Sequence, residues 1–164
     1  MSERTMAFLT MLAAVSSGVI GGLLLIFSNT IMASLARIPP TSGIAAMQSI
    51  NIVIQNPLFF LLFFGSAILS LLIAVGAALG WASGSNGWLY TGAALYLVGV
   101  LAVTLAVNVP MNNALAAIDP ATAEGARVWA DYLVNWTRWN HVRAIAGIGA
   151  CAAFILALRS TQPV

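Results

Sequence analysis

The 164-residue chain is 61% hydrophobic and 6% charged, with a mean hydropathy of +0.98. Soluble domains carry about a quarter charged residues, so the composition excludes an ordinary soluble domain and points to a single membrane domain over residues 1–164. The formal charge of +2 comes from scattered arginines with no basic run, which excludes a nucleic-acid surface, and a lone Cys151 excludes a disulfide framework.

Taken in chain order, the first apolar run covers about residues 6–27. It exceeds the ~7 to 15 residues of a signal-peptide core and is read as an uncleaved span. Gly18-x-x-x-Gly22 within it is a small-residue spacing that lets two helix backbones approach. The helix can run on toward Arg37, until Pro39 and Pro40 stop it. Thr41 or Ser42 then caps an amphipathic helix, 43–55, on which Gln48, Asn51 and Gln55 share a face. Asn56-Pro57 reads as an N-cap followed by proline at the first helical position and starts a second span, 58–80. Trp81 and Trp88 bracket a Gly/Ser/Asn turn with aromatic rings at headgroup level. A third span covers 88–109, where Pro110 removes a helical hydrogen bond beside Asn108, Asn112 and Asn113. Asp119-Pro120 repeats the cap-and-proline start for a second amphipathic helix, 120–140, ahead of a short fourth span, 144–158.

The expected fold class is therefore all-α: a four-transmembrane-helix bundle with two amphipathic surface or re-entrant helices on the same membrane side. Such a multi-pass protein is expected in a bacterial inner membrane.

The polar groups concentrate between Trp129 and Arg143. At 100° per residue, Arg143, Trp136 and Trp129 fall within about 40° of each other, with Asn140 about 60° from Arg143. Arg127, Asp131, Arg138 and His141 fall on the opposite side, where they read as the wet face of an interfacial helix. Arg143 and Asn140 either anchor the end of the span or face inward to meet Asn108, Asn112, Gln48 and Asn51. His141 is either a proton acceptor, its reference pKa of about 6.5 being suited to general base work, or an interfacial side chain. One histidine with a distant cysteine makes no metal site, and no cofactor is predicted. Haem held by His141 with Met47 or Met111 stays open as an alternative.

Three stretches resemble the anthrone oxygenase-like integral membrane proteins, a family also carried under a domain-of-unknown-function label. They are Phe27-Ser28 through Ile38-Pro39 to Met47-Gln48-x-Ile50-Asn51 and Asn56-Pro57; Val109-Pro110-Met111-Asn112-Asn113; and Trp136-x-x-x-Asn140-x-x-Arg143. The resemblance implies a four-span helical protein and, for some members, oxidation of an anthrone to an anthraquinone by molecular oxygen without a recognised cofactor motif. It picks out Asn112, Trp136, Asn140 and Arg143. On that reading Arg143 and either Asn140 or Asn112 hold an oxyanion, and His141 is the base if it turns inward. Trp136 and Phe59 or Phe60 line a flat apolar slot, with Gln48, Asn51 and Asn108 as its polar rim. A regular helix does not bring His141 and Arg143 into one pocket. The alternative is a non-enzymatic bundle that binds a lipid-like ligand or haem, or serves as an assembly partner, its asparagines serving packing. The expected partners are membrane lipid and a hydrophobic small molecule; the oligomeric state is not readable.

Overall fold

Ser2 starts the first helix, its side chain accepting a hydrogen bond from the Thr5 amide at 3.2 Å. The computed structural model describes residues 2–82 and 86–160, all helix and turn. Helix α1 runs Glu3–Leu35, without a break but with one widened π turn at Phe27–Ile31. Helix α2 is Pro40–Val53, α3 is Pro57–Ala78, α4 is Asn86–Ala116 and α5 is Ala123–Ser160. Four of them, all but α2, are long and apolar enough to cross a membrane. The all-α bundle of four spans stands, while several boundaries move.

Helix α2 begins at Pro40 rather than 43, with no side-chain cap from Thr41 or Ser42. Proline at the first helical position needs no N–H partner and has its φ already set, so no hydroxyl cap is required. Asn56 caps α3 as expected, accepting from the Phe59 amide at 3.0 Å. That helix ends in a Schellman turn two residues ahead of the expected boundary: Gly80 has φ 72°, and the Trp81 amide reaches back to the Gly76 carbonyl at 2.9 Å. Part of the turn between Trp81 and Trp88 lies outside the described residues.

Two expectations need larger correction. The third span does not end at Val109; α4 continues through Pro110 to Ala116. The preceding turns, Leu95–Ala102 and Thr104–Asn108, are π-wound, and the wider coil leaves room for the proline ring. The second amphipathic helix is likewise not a separate element, because 120–140 and 144–158 belong to one unbroken α5. Its start also moves to Ala123: Asp119-Pro120 forms a turn, and the Thr122 hydroxyl caps the helix by accepting from the Gly125 amide at 3.0 Å. An exposed Arg127–Glu124 ion pair sits in its first turns.

The spans meet where side chains are smallest. A Cβ on Gly21 would stand 2.7 Å from the Ile148 amide nitrogen, and one on Gly147 would stand 2.9 Å from the Gly21 Cα. Helices α1 and α5 therefore touch backbone to backbone. Gly18 joins this contact against Cys151, whereas Gly22 has nothing within 4 Å, so the working spacing is Gly18-x-x-Gly21 and not the four-residue one.

Two apolar cores stack along the bundle. One lies among the spans and includes Ala13, Ile20, Phe63, Tyr96, Ala146 and Phe154. The other lies where α2 covers the ends of α1, α4 and α5, and includes Phe27, Ile44, Met47, Leu115, Trp129 and Trp136. Gln48 ties this second layer together by donating to the Leu115 and Ile118 carbonyls at 2.9 and 3.1 Å, the first an orphan acceptor in the last turn of α4 and the second just past its end.

Candidate functional site

A cavity of about 280 Å³ lies between the two cores, where α3 begins. Its walls are Leu24 and Phe27 of α1, Met47 and Asn51 of α2, four phenylalanines of α3, Thr104 and Asn112 of α4, and Trp136 and Arg143 of α5. The volume is close to the ~300 Å³ lower bound of small-molecule pockets, which suits a rigid molecule of a few rings better than a whole lipid.

Arg143 is 6% exposed. Its guanidinium donates to the Thr104 hydroxyl at 3.1 Å and to the Asn140 side-chain oxygen, and its Cζ lies 5.3 Å from the centre of the Trp136 ring. Its Nε has no partner. All of these neighbours are neutral: none of the chain's four acids and not its histidine lines the cavity. Buried cations in proteins are ordinarily paired with anions, so this cavity presents positive charge with no counter-charge of its own.

Asn140, with no exposed surface, holds that charge in place. Its amide donates to the Leu24 carbonyl and to the Ser28 hydroxyl, both at 2.6 Å, while its oxygen receives Arg143. The π turn of α1 begins three residues beyond Leu24, whose carbonyl also accepts from the Phe27 amide and the Ser28 hydroxyl. Asn140 is thus committed to α1 and Arg143 and does not line the cavity.

Asn112 is different. Its side-chain oxygen accepts from the Trp136 indole N–H at 2.7 Å and from the Tyr132 hydroxyl at 2.8 Å. An indole nitrogen can only donate, which fixes the amide orientation and leaves the Asn112 NH₂ to serve the cavity. Asn51 also lines the cavity, its buried NH₂ lying beside the Tyr132 hydroxyl. Arg143 and the Asn112 NH₂ are thus donors available to this space.

Aromatic rings form the rest. Trp129, Tyr132 and Trp136 stack in series along α5 at centroid distances of 5.7 and 5.6 Å, each pair 17° from parallel. Phe27 meets Trp136 at 6.3 Å, and Phe59 and Phe63 stack at 5.5 Å on the opposite wall.

The expected site residues therefore separate. Arg143, Asn112, Trp136, Asn51 and Phe59 share the cavity, and Asn140 supports it from behind. Gln48 is spent on α4 carbonyls, and Asn108 on the Trp136 carbonyl at 3.3 Å. Because α5 runs straight through Asn140, His141 is exposed on the far side and does not turn inward. Met47 lines the cavity without His141, so that pair is not assembled as haem ligands. Among the described residues no group of His, Cys, Asp and Glu could hold a metal ion.

Tyr132, Thr104, Phe63 and Phe64 are additions. Tyr132 lies about 20° from Arg143 on the same wheel that gathered Trp129 and Trp136. Thr104 stands one turn before Asn108 and two before Asn112, and Phe63 and Phe64 repeat Phe59 and Phe60 four residues on. Those spacings carried the signal.

The anthrone oxygenase family model matches residues 59–153, more than half of the chain. The chain belongs to the anthrone oxygenase family. No curated protein and no solved structure matches it. The matched anthrone oxygenase region contains Phe59, Thr104, Asn112, Trp136, Asn140 and Arg143, while the walls supplied by α1 and α2 lie outside it.

Proposed function

We propose that this anthrone oxygenase family member takes a flat, oxygen-bearing polycyclic molecule into the cavity, holds it there as its oxyanion and exposes it to molecular oxygen. The observation that carries the reading is Arg143, a buried guanidinium without an acidic partner, in an aromatic cavity whose other polar groups are all neutral. A ligand oxyanion supplies the missing negative charge, and flat rings fit between Trp136 and the phenylalanines of α3.

For an anthrone the chemistry follows. The methylene between two aromatic rings is acidic because its anion places charge on the ring ketone oxygen. Arg143 and the Asn112 amide at that oxygen stabilise the anion more than the neutral ketone, which lowers the cost of losing the proton to solvent. The electron-rich anion passes one electron to oxygen, and the resulting radicals combine at the former methylene carbon. The peroxide so formed loses water to leave a carbonyl. Overall, a methylene and one oxygen molecule become a carbonyl and one water. This sequence needs no strong base in the cavity, consistent with the outward position of His141. Asn140 is a positioning residue that orients Arg143.

The specific observation favouring a packing role concerns Gln48 and Asn108, whose amides are consumed by backbone carbonyls. We assign those two to assembly of the bundle. The expected partners are membrane lipid and an apolar small molecule, and the reading puts the protein in a bacterial inner membrane, which fractionation tests. The direct assay is oxygen consumption by the detergent-solubilised protein given an anthrone. Wild type and His141→Gln should consume oxygen above the spontaneous rate. Arg143→Ala, still folded, should lose about 10²- to 10³-fold, the usual effect of removing one oxyanion donor. Equal rates in wild type and Arg143→Ala would refute the assignment.

A further inference from the structure

We propose that the cavity is loaded sideways from the bilayer, through a slit between α3 and α4, and that Phe64 and Leu105 set the width of that slit. The inference concerns the same cavity as the functional reading but does not depend on the oxidation. Among the cavity-lining residues, Phe60, Phe64 and Leu105 are also large exposed hydrophobics, at 40%, 43% and 53%. All three therefore touch the cavity on one side and the outside on the other. Phe64 lies about 10 Å along α3 from Pro57, at 1.5 Å per residue. Because α3 at 22 residues is only about one bilayer thick, this edge of the cavity faces hydrocarbon.

Helix α3 packs against the first half of α4, down to Ala102, and this contact reaches back to Phe63, whose carbonyl accepts from the Tyr96 hydroxyl at 3.0 Å. Outward from that contact, the first turns of α3 and the second half of α4 both line the cavity, which lies between them. The other exposed lining residues, Gln55 and Asn113, are polar and lie at the α2 side. They offer a rim to water, while the apolar slit offers an entrance to a flat molecule dissolved in lipid. An apolar molecule partitions strongly from water into hydrocarbon, so the lateral route presents it at the higher concentration.

The route can be read without any substrate. In the full-length protein with Cys151→Ser, a single reporter thiol is placed by Met47→Cys, on the α2 wall of the cavity. The protein is held in lipid vesicles and treated with either an apolar thiosulfonate that dissolves in the bilayer or a charged one that does not. The apolar reagent should label the thiol faster than the charged one. Leu105→Trp should slow the apolar reaction severalfold by narrowing the slit, and Phe64→Ala should speed it severalfold. Opposite shifts in the two variants cannot come from a shared loss of folding. Labelling by the charged reagent at an equal rate, with neither variant changing it, would show that the polar rim is the entrance. A thiol that neither reagent reaches would also overturn the proposal. Failure of anthrone oxidation leaves this result intact, since the labelling reads access alone.

Discussion

Arg143 is where burial and charge conflict most sharply, and its neighbours show how the chain tolerates the conflict. The guanidinium is surrounded by a threonine, an asparagine and an indole face, all neutral. Replacing a buried cation by an apolar side chain of similar length removes a desolvation penalty. Arg143→Met should therefore stay within about 2 kcal/mol of wild-type stability, because the loss is limited to the acceptors it leaves behind. Asn140→Ala should cost more, about 2–3 kcal/mol, since it removes a buried acceptor from the charged Arg143 and breaks the two hydrogen bonds that tie α5 to α1. Thermal unfolding in detergent compares the two, and the reverse order would contradict the division of roles. The sequence placed Arg143 and Trp136 on one face through helical periodicity alone. It did not show that Asn140 is consumed, because its partners, the Leu24 carbonyl and the Ser28 hydroxyl, belong to a helix more than 100 residues away in the chain. His141 was decidable only once α5 proved continuous.

At the scale of elements, the contact between α1 and α5 is set by which glycines face inward. From Gly18, both Gly21 and Gly22 lie within about 60° on a helix, so spacing alone does not choose between them. Gly21 is in backbone contact and Gly22 is open. Gly21→Val should destabilise the bundle by at least the 1–3 kcal/mol typical of overpacking, roughly, or block folding. Gly22→Val should stay within about 0.5 kcal/mol. Chemical or thermal unfolding of the two variants checks this, and equal effects would count against the register. The proline signals show the same limit. Asn56-Pro57 was legible because an N-cap and a first-position proline act within one turn. Pro110 was not, because a π-wound stretch before it carries the helix past, and winding depends on the packed neighbours.

The whole molecule is two layers with a cavity at their junction. Helix α3 is one bilayer thick, while α1, α4 and α5 have 33, 31 and 38 residues and extend beyond it to form a collar with α2. Hydropathy made the four spans legible; the collar was not, because its helices continue the spans without a break in pattern. Among the described residues, Gln48 bridges α2 to the end of α4 by side-chain hydrogen bonds. Gln48→Ala should accelerate amide hydrogen exchange in α2 and leave the α1–α5 core unchanged. The central claim, that this cavity uses oxygen on a bound ring anion, is tested most directly with isotopically heavy molecular oxygen. The purified protein is given an anthrone under that gas and the quinone is weighed by mass spectrometry. The account predicts one heavy oxygen atom in each product carbonyl formed, at a rate lost in Arg143→Ala. Heavy oxygen incorporated no faster than without protein, or equally in the variant, would contradict it.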